Sequence, residues 1–173
     1  VHGNPVTTTD PNGSVTTSTF DLLDRVIARS IARAPGVLGT TAEQLQYDGL
    51  SRLIAAENDD SRVTRAYNSL SLLTQESQQS LPGGPVTLVQ SAFDGVGNQT
   101  ALGYPGGRVV LQDFDPLNRL SLLQDDPPGA SSLIASYQYF GPRVQERDYG
   151  NGTRFSPGYD TLRRVMRTTH SVV

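Results

Sequence analysis

Tyr47-Asp48-Gly49-Leu50-Ser51-Arg52-Leu53 is the stretch that decides the fold. An aromatic residue closes an incoming strand, where a large flat side chain suits a half-buried pleated surface. The aspartate after it accepts a hydrogen bond from the backbone about two residues on, forming an Asx-type turn. Four residues after the aromatic, Ser51 stands where a type I turn with a G1 bulge requires a left-handed backbone. Leu50 is expected to fold back over the hairpin end. Arg52 and Leu53 then open the outgoing strand, one facing each way.

The same unit recurs along the chain. Further copies are Phe20-Asp21-Leu22-Leu23-Asp24-Arg25-Val26, Tyr67-Asn68-Ser69-Leu70-Ser71-Leu72-Leu73 and Phe93-Asp94-Gly95-Val96-Gly97-Asn98-Gln99. Phe114-Asp115-Pro116-Leu117-Asn118-Arg119-Leu120, a degenerate Tyr139-Phe140-Gly141-Pro142-Arg143-Val144 and Tyr159-Asp160-Thr161-Leu162-Arg163-Arg164-Val165 complete the seven. At the left-handed position Gly97, Asp24 and Asn118 suit that geometry, whereas Ser51, Ser71 and Arg163 fit it less well.

Successive aromatics lie 27, 20, 26, 21, 25 and 20 residues apart. Long and short spacers therefore alternate over a super-period of about 46 residues, the signature of a repeat architecture. The short spacers contain Asn58-Asp59-Asp60, Tyr104-Pro105-Gly106-Gly107 and Tyr149-Gly150-Asn151-Gly152, all hairpin-turn chemistries. The long ones contain Ala34-Pro35-Gly36, Leu81-Pro82-Gly83-Gly84-Pro85 and Asp125-Asp126-Pro127-Pro128-Gly129, which read as longer turns. Two strands per copy give roughly 14 strands in one winding antiparallel sheet, an all-β array of tandem hairpins over residues 1–173. Two other readings compete. Thr41–Glu57 has helix formers near helical spacing, opposed by Asp48-Gly49 at its centre. Four strands per super-period also describe a β-propeller blade, although three and a half blades would not close.

These copies, with phrases such as Thr9-Asp10-Pro11-Asn12-Gly13-Ser14 and Tyr104-Pro105-Gly106-Gly107-Arg108, resemble the tyrosine–aspartate (YD, or Rhs) repeat family from about Thr7 to His170. The resemblance implies a spiralling β-sheet shell that encloses a polypeptide, often a toxin, in a secreted or delivered bacterial protein. It also implies kinship with animal cell-surface adhesion proteins. The family's self-cleaving terminal region has no matching segment here, so no catalytic residue is carried over, and Asp10-Pro11, Asp115-Pro116 and Asp126-Pro127 read as turn dipeptides.

Composition supports a scaffold. The chain has 14 basic residues, all arginine, against 17 acidic ones, a net charge of −3 with no long block of one sign. Neither a nucleic-acid surface nor membrane insertion is expected from that balance and from the lack of a long apolar run. There is no cysteine, hence no disulfide or thiolate metal site. The chain starts Val1-His2 rather than with methionine and reads as a piece of a longer one.

No catalytic, metal or cofactor site is expected. His2 and His170 stand near opposite ends without a second ligand at metal spacing. Asp59-Asp60 and Asp125-Asp126 lack the alternating oxygens of a calcium loop and read as solvated turns. The serines lack a nucleophile elbow, and the glycine-rich turns lack a phosphate-loop lysine. The recurrent Arg25, Arg52, Arg119 and Arg164 are expected to pair with Asp21, Asp48, Asp115 and Asp160 rather than form a cationic ligand site. The partners expected are the rest of the parent chain, further repeats and an enclosed toxin among them, and the chain itself through open sheet edges. The alternatives are an adhesive protein assembling edge to edge into tubes or fibres, and a glycan-binding surface using Tyr104, Tyr149 and Tyr159.

Overall fold

A computed structural model describes residues 3–126 and 132–173. Its contacts divide the chain into two units, one running to Leu88 and one of Val89–Val173. The first holds β1 (Thr7–Thr9), β2 (Val15–Phe20), β3 (Val26–Ala32), β4 (Ala42–Tyr47), β5 (Leu53–Asn58), β6 (Ser61–Tyr67) and β7 (Leu73–Ser80). β8 (Val86–Phe93) begins in the first unit and ends in the second. The second continues with β9 (Gln99–Gly103), β10 (Val109–Phe114), β11 (Leu120–Asp125), β12 (Ser132–Phe140), β13 (Arg143–Tyr149), β14 (Thr153–Tyr159) and β15 (Val165–Val172).

The strands follow one another from β1 to β15 in a single open sheet, without a crossover. This is the all-β hairpin array, and the alternative of separate four-stranded propeller blades is excluded by that order. Thr41–Glu57 is not helical. It forms β4 and β5, because Asp48 nucleates a five-residue turn in its middle. The count is 15 rather than 14 because the Asp10 turn pairs an extra strand, β1, with β2.

A register slip precedes each aromatic. It falls between Thr19 and Phe20, Gln46 and Tyr47, and Ala66 and Tyr67 in the first unit. In the second it falls at Ala92/Phe93, Asp113/Phe114, Gln138/Tyr139 and Gly158/Tyr159. Such a bulge adds one residue to the outgoing strand and increases local twist.

Among the described residues only two apolar side chains are buried, Val110 at 9% and Ala135 at 3% relative exposure. A single-layer sheet has no second layer to cover it, so cross-strand pairs and side-chain bonds to neighbouring turns carry the cohesion. Arg29 reaches Glu43 at 2.8 Å between β3 and β4, and Arg65 reaches Glu76 at 2.8 Å between β6 and β7.

Turns at the opposite ends of the strands are held by side chains as well. Buried Ser14 accepts the Ala34 N–H on its Oγ at 3.2 Å. Asp59 is an exposed turn residue, as expected, and also accepts from Thr41 N, Thr41 Oγ1 and Ala42 N at 2.5, 2.7 and 3.0 Å. It staples the β5–β6 turn to the long β3–β4 connection, because its carboxylate lies level with the two N–H groups at the start of β4. Asp125 pairs with Arg108. His2 and the Pro127-Pro128-Gly129 turn lie outside the described residues.

Candidate functional site

The chemistry of the chain is concentrated in the hairpin turns that bear the aromatic–aspartate copies. In the turn after Tyr47, the Asp48 N–H donates to the Arg52 carbonyl and the Ser51 N–H to the Asp48 carbonyl, both at 3.0 Å. Asp48 Oδ1 accepts the N–H groups of Leu50 and Arg52 at 2.9 and 3.0 Å. One carboxylate oxygen thus ties down two backbone donors that the turn would otherwise leave unpaired. The same four bonds recur around Asp21, Asn68, Asp94 and Asp115.

The left-handed residue is the same in every full copy. Asp24, Ser51, Ser71, Asn118 and Arg163 all have φ between 58° and 71°, and Gly97 has 94°. The serines and Arg163, which suit that region poorly, occupy it nonetheless, because the turn's hydrogen bonds over-determine the conformation. A seventh Asx turn of this geometry surrounds Asp10, whose Oδ1 accepts from Asn12 and Ser14 with Gly13 at φ 87°. It follows Thr9 rather than an aromatic.

The leucine or valine three residues after the aromatic does not cover the hairpin end. Leu23, Leu50, Leu70, Val96, Leu117 and Leu162 are 59–71% exposed. In most copies the N–H at this position is drawn to the aspartate or asparagine Oδ1, as Leu50's is to Asp48, and that arrangement points the side chain outward. The end is covered instead by side chains of the next copy.

That cover is an arginine–tyrosine ladder. Arg25 Nε donates to Asp21 Oδ2 at 2.7 Å, which fixes the guanidinium. Its Cζ lies 4.7 Å from the centre of the Tyr47 ring. Its Nη1 also donates to Ser51 Oγ at 3.0 Å. Tyr47 Oη returns a hydrogen bond to the Val26 carbonyl at 3.0 Å. Arg52 repeats the arrangement with Asp48, Tyr67 and Ser71, and Tyr67 Oη reaches the Leu53 carbonyl at 3.1 Å.

In the second unit Arg119 is held by Asp115 and lies 4.3 Å from the Tyr139 ring centre, while donating to the Gly141 carbonyl. Tyr139 Oη donates to the Leu120 carbonyl at 2.7 Å. Even the degenerate copy takes part: Arg143 lies 5.0 Å from the Tyr159 ring centre, and Tyr159 Oη meets the Val144 carbonyl at 2.9 Å.

Tyrosine and phenylalanine are distributed by the copy that precedes them. A tyrosine follows a copy with arginine at the turn's end, as for Arg25, Arg52, Arg119 and Arg143. Phe93 follows the copy with Leu72 there, and Phe114 the copy with Asn98. Asn98 donates instead to Asp94 Oδ2 at 2.8 Å and Asn118 Oδ1 at 3.1 Å. The sequence carries this signal as a correlation between non-adjacent positions.

The donors hold the turn carboxylates below the ordinary aspartate value. For Asp21 and Asp115 the side-chain bond from Arg25 or Arg119 is the largest cause. For Asp160 it is the Arg164 backbone N–H. At Asp48 and Asp94 partial desolvation is the largest influence and pulls upward, but the hydrogen bonds from Arg52 and Asn98 and their neighbours outweigh it.

The other aromatic cluster lies on one face of β12–β15. Arg147 is surrounded by Tyr137, Tyr149 and Phe155, with ring centres 5.0–5.6 Å from its Cζ, and Phe155 packs on His170. Among the described residues no three acidic or histidine side chains gather in a metal-binding cluster.

No protein-family model and no curated protein matches the chain. Solved structures do. The chain is similar to the Tc holotoxin pore of Photorhabdus luminescens in a variant of its TccC3 component, with a TM-score of 0.81 and 15% identity over 98% of this chain. It is also similar to TcdB2-TccC3-TEV, with a TM-score of 0.82 and 14% identity over 99% of this chain. TcdB2-TccC3 without its hypervariable C-terminal region gives a TM-score of 0.82 and 14% identity over 98%. The chain spans about a tenth of the length of each of these chains. At this identity the likeness is one of fold.

Proposed function

We propose that the chain is a structural segment of a secreted or delivered bacterial repeat protein, a stretch of β-sheet wall that helps to enclose a polypeptide such as a toxin. The observation that carries this reading is the ladder in which the aspartate-held Arg25, Arg52 and Arg119 are each covered by the tyrosine of the next copy. Such an arrangement invests side-chain chemistry in joining hairpins and leaves little of it free for a substrate. The fold likeness to Tc toxin chains over nearly the whole sequence supports the same reading.

In this reading the chain is not an enzyme. The carboxylates of Asp21, Asp48 and Asp115 accept from turn N–H groups and guanidinium ions, and His170 is packed on Phe155. The partners are the rest of a longer parent chain and its enclosed segment.

The test is protection. In the full-length parent protein, deletion of Val15–Val172 is expected to expose the enclosed segment to protease, whereas the intact protein resists. Equal cleavage rates with and without the segment would remove the enclosure reading.

A further inference from the structure

The aromatic cluster of the second unit surrounds a cation that no carboxylate neutralises among the described residues. Tyr137, Arg147, Phe155 and His170 stand directly opposite one another on β12, β13, β14 and β15, and directly opposed residues of antiparallel strands share a face. Tyr149, two positions after Arg147, joins them on that face. The Arg147 Cζ lies 5.0 Å from the ring centre of Tyr137, 5.6 Å from that of Tyr149 and 5.4 Å from that of Phe155. Arg25, Arg52, Arg119 and Arg154, with side chains 22–31% exposed, each have a carboxylate oxygen at 2.5–2.6 Å. Arg147 has no such partner, because its neighbours Glu146 and Asp148 alternate to the opposite face and both pair with Arg154.

The guanidinium is also short of acceptors. Its N–H donors make one hydrogen bond, from Nη1 to Tyr149 Oη at 3.0 Å, and the Nε–H is buried without an acceptor. Nη2 is neither bonded nor buried, so it is the outward donor. Tyr149 Oη accepts from Arg147, which leaves its own O–H to donate. An N–H and an O–H from adjoining groups therefore stand free, the pair of donors that the two oxygens of a carboxylate accept. The cluster holds no carboxylate or carboxamide that would accept from the hydroxyl groups of a neutral ligand.

We propose that Arg147 and Tyr149 form a recognition site for an aspartate or glutamate side chain of a polypeptide lying on this face of the sheet. The carboxylate accepts from Arg147 Nη2 and from the Tyr149 O–H, while the rings of Tyr137 and Phe155 give apolar flanks to the residues on either side of the acid. A charge-assisted bond of this kind is stronger beside rings that exclude water than in open solvent. An acidic sugar presents the same group, but the ring faces on which a sugar would stack are turned to the guanidinium. The proposal rests on the enclosure reading only in taking a polypeptide as the occupant, and it adds the chemistry of the contact.

The probes are acetyl-leucyl-glutamyl-leucyl amide and its glutaminyl counterpart, titrated into the 173-residue chain and followed by NMR. The glutamyl peptide is expected to bind about tenfold more tightly than the glutaminyl one and to shift the signals of Tyr137, Tyr149 and the Arg147 Nε–H. Arg147→Met, which keeps an apolar stem among the rings, is expected to abolish that ratio, and Tyr149→Phe to reduce it to about threefold. The two peptides are compared first on the unaltered chain, so the outcome does not depend on a variant's folding. Equal affinity of the two peptides, binding of neither, shifts confined to residues outside the cluster, or glucuronate bound here as tightly as the glutamyl peptide would each overturn the proposal. Those outcomes leave protease protection in the parent untouched, so the two readings fail separately.

Discussion

Arg25 holds its guanidinium carbon 4.7 Å from the centre of the Tyr47 ring, 22 positions further along the chain, while its own turn's Asp21 grips it from behind. This contact is the joint between two hairpins. Tyr47→Phe removes only the hydroxyl bond to Val26, at an expected cost of about 1 kcal/mol. Arg25→Leu removes the cation and Tyr47→Leu the ring, and a double-mutant cycle of these two read by urea unfolding should give a coupling of about 0.5–1 kcal/mol. A coupling near zero would mean that ring and guanidinium are merely adjacent.

The tyrosine rule can be tested by writing it into a copy that lacks it. Asn98→Arg with Phe114→Tyr should raise stability by about 1 kcal/mol, because the arginine gains a ring and the added hydroxyl a backbone carbonyl. Thermal melts decide the matter, and an unchanged midpoint would show that the pair cannot be written into this copy.

Backbone geometry at the left-handed position makes a third expectation. Arg163 sits at φ 71° with a side chain, so Arg163→Gly should stabilise by about 0.5–1 kcal/mol. Gly97→Val at φ 94° should destabilise by at least about 1 kcal/mol. Denaturant midpoints of the two variants are expected to move in opposite directions.

The turn aspartates set the acid limit. Their folded values lie below the ordinary 3.8, so the folded chain holds fewer protons than the unfolded chain in that range. Their contribution is present in full above the unfolded value and is lost as pH falls through the lower folded values. Melting temperature should hold from about pH 7 to pH 5 and drop below about pH 4. Asp21→Asn, Asp48→Asn and Asp115→Asn together should flatten that drop, since asparagine serves as turn acceptor at Asn68 without a charge to titrate.

The outward leucines are expected to be dispensable for folding. Leu23→Gln, Leu50→Gln and Leu70→Gln should each change stability by less than about 0.5 kcal/mol, as exposed positions do. A larger loss in a chemical denaturation series would restore the covering role that their sequence position suggests.

What the sequence discloses follows the range of each interaction. The Asp48 turn is legible because five consecutive residues contain everything it needs, and its repetition separates strand from helix in Thr41–Glu57. The Asp10 turn obeys the same local chemistry but follows Thr9 instead of an aromatic, so the recurring aromatic does not mark it. Leu50 misleads because its apolar character suggests burial, whereas the Asx bond to its N–H decides where it points. The stacking of Arg119 on Tyr139 depends on strands meeting across a spacer. It leaves only a correlation in the text, tyrosine after arginine and phenylalanine after Leu72 or Asn98, which is visible when copies are compared in order. Asp59 gives no such trace, since its partners Thr41 and Ala42 are set by the length of the preceding connection.

Because Arg25, Arg52, Arg119 and Arg143 each address the tyrosine of the next copy, the ladder has a direction and its copies an order. Exchanging two copies, or removing one from the middle, sets an arginine against phenylalanine or a tyrosine against leucine. A segment cut after Leu72 ends without a dangling cation, whereas one cut after Arg119 does not. Engineered fragments that terminate on a leucine- or asparagine-type copy should therefore behave as quieter, better-finished ends than fragments that terminate on an arginine.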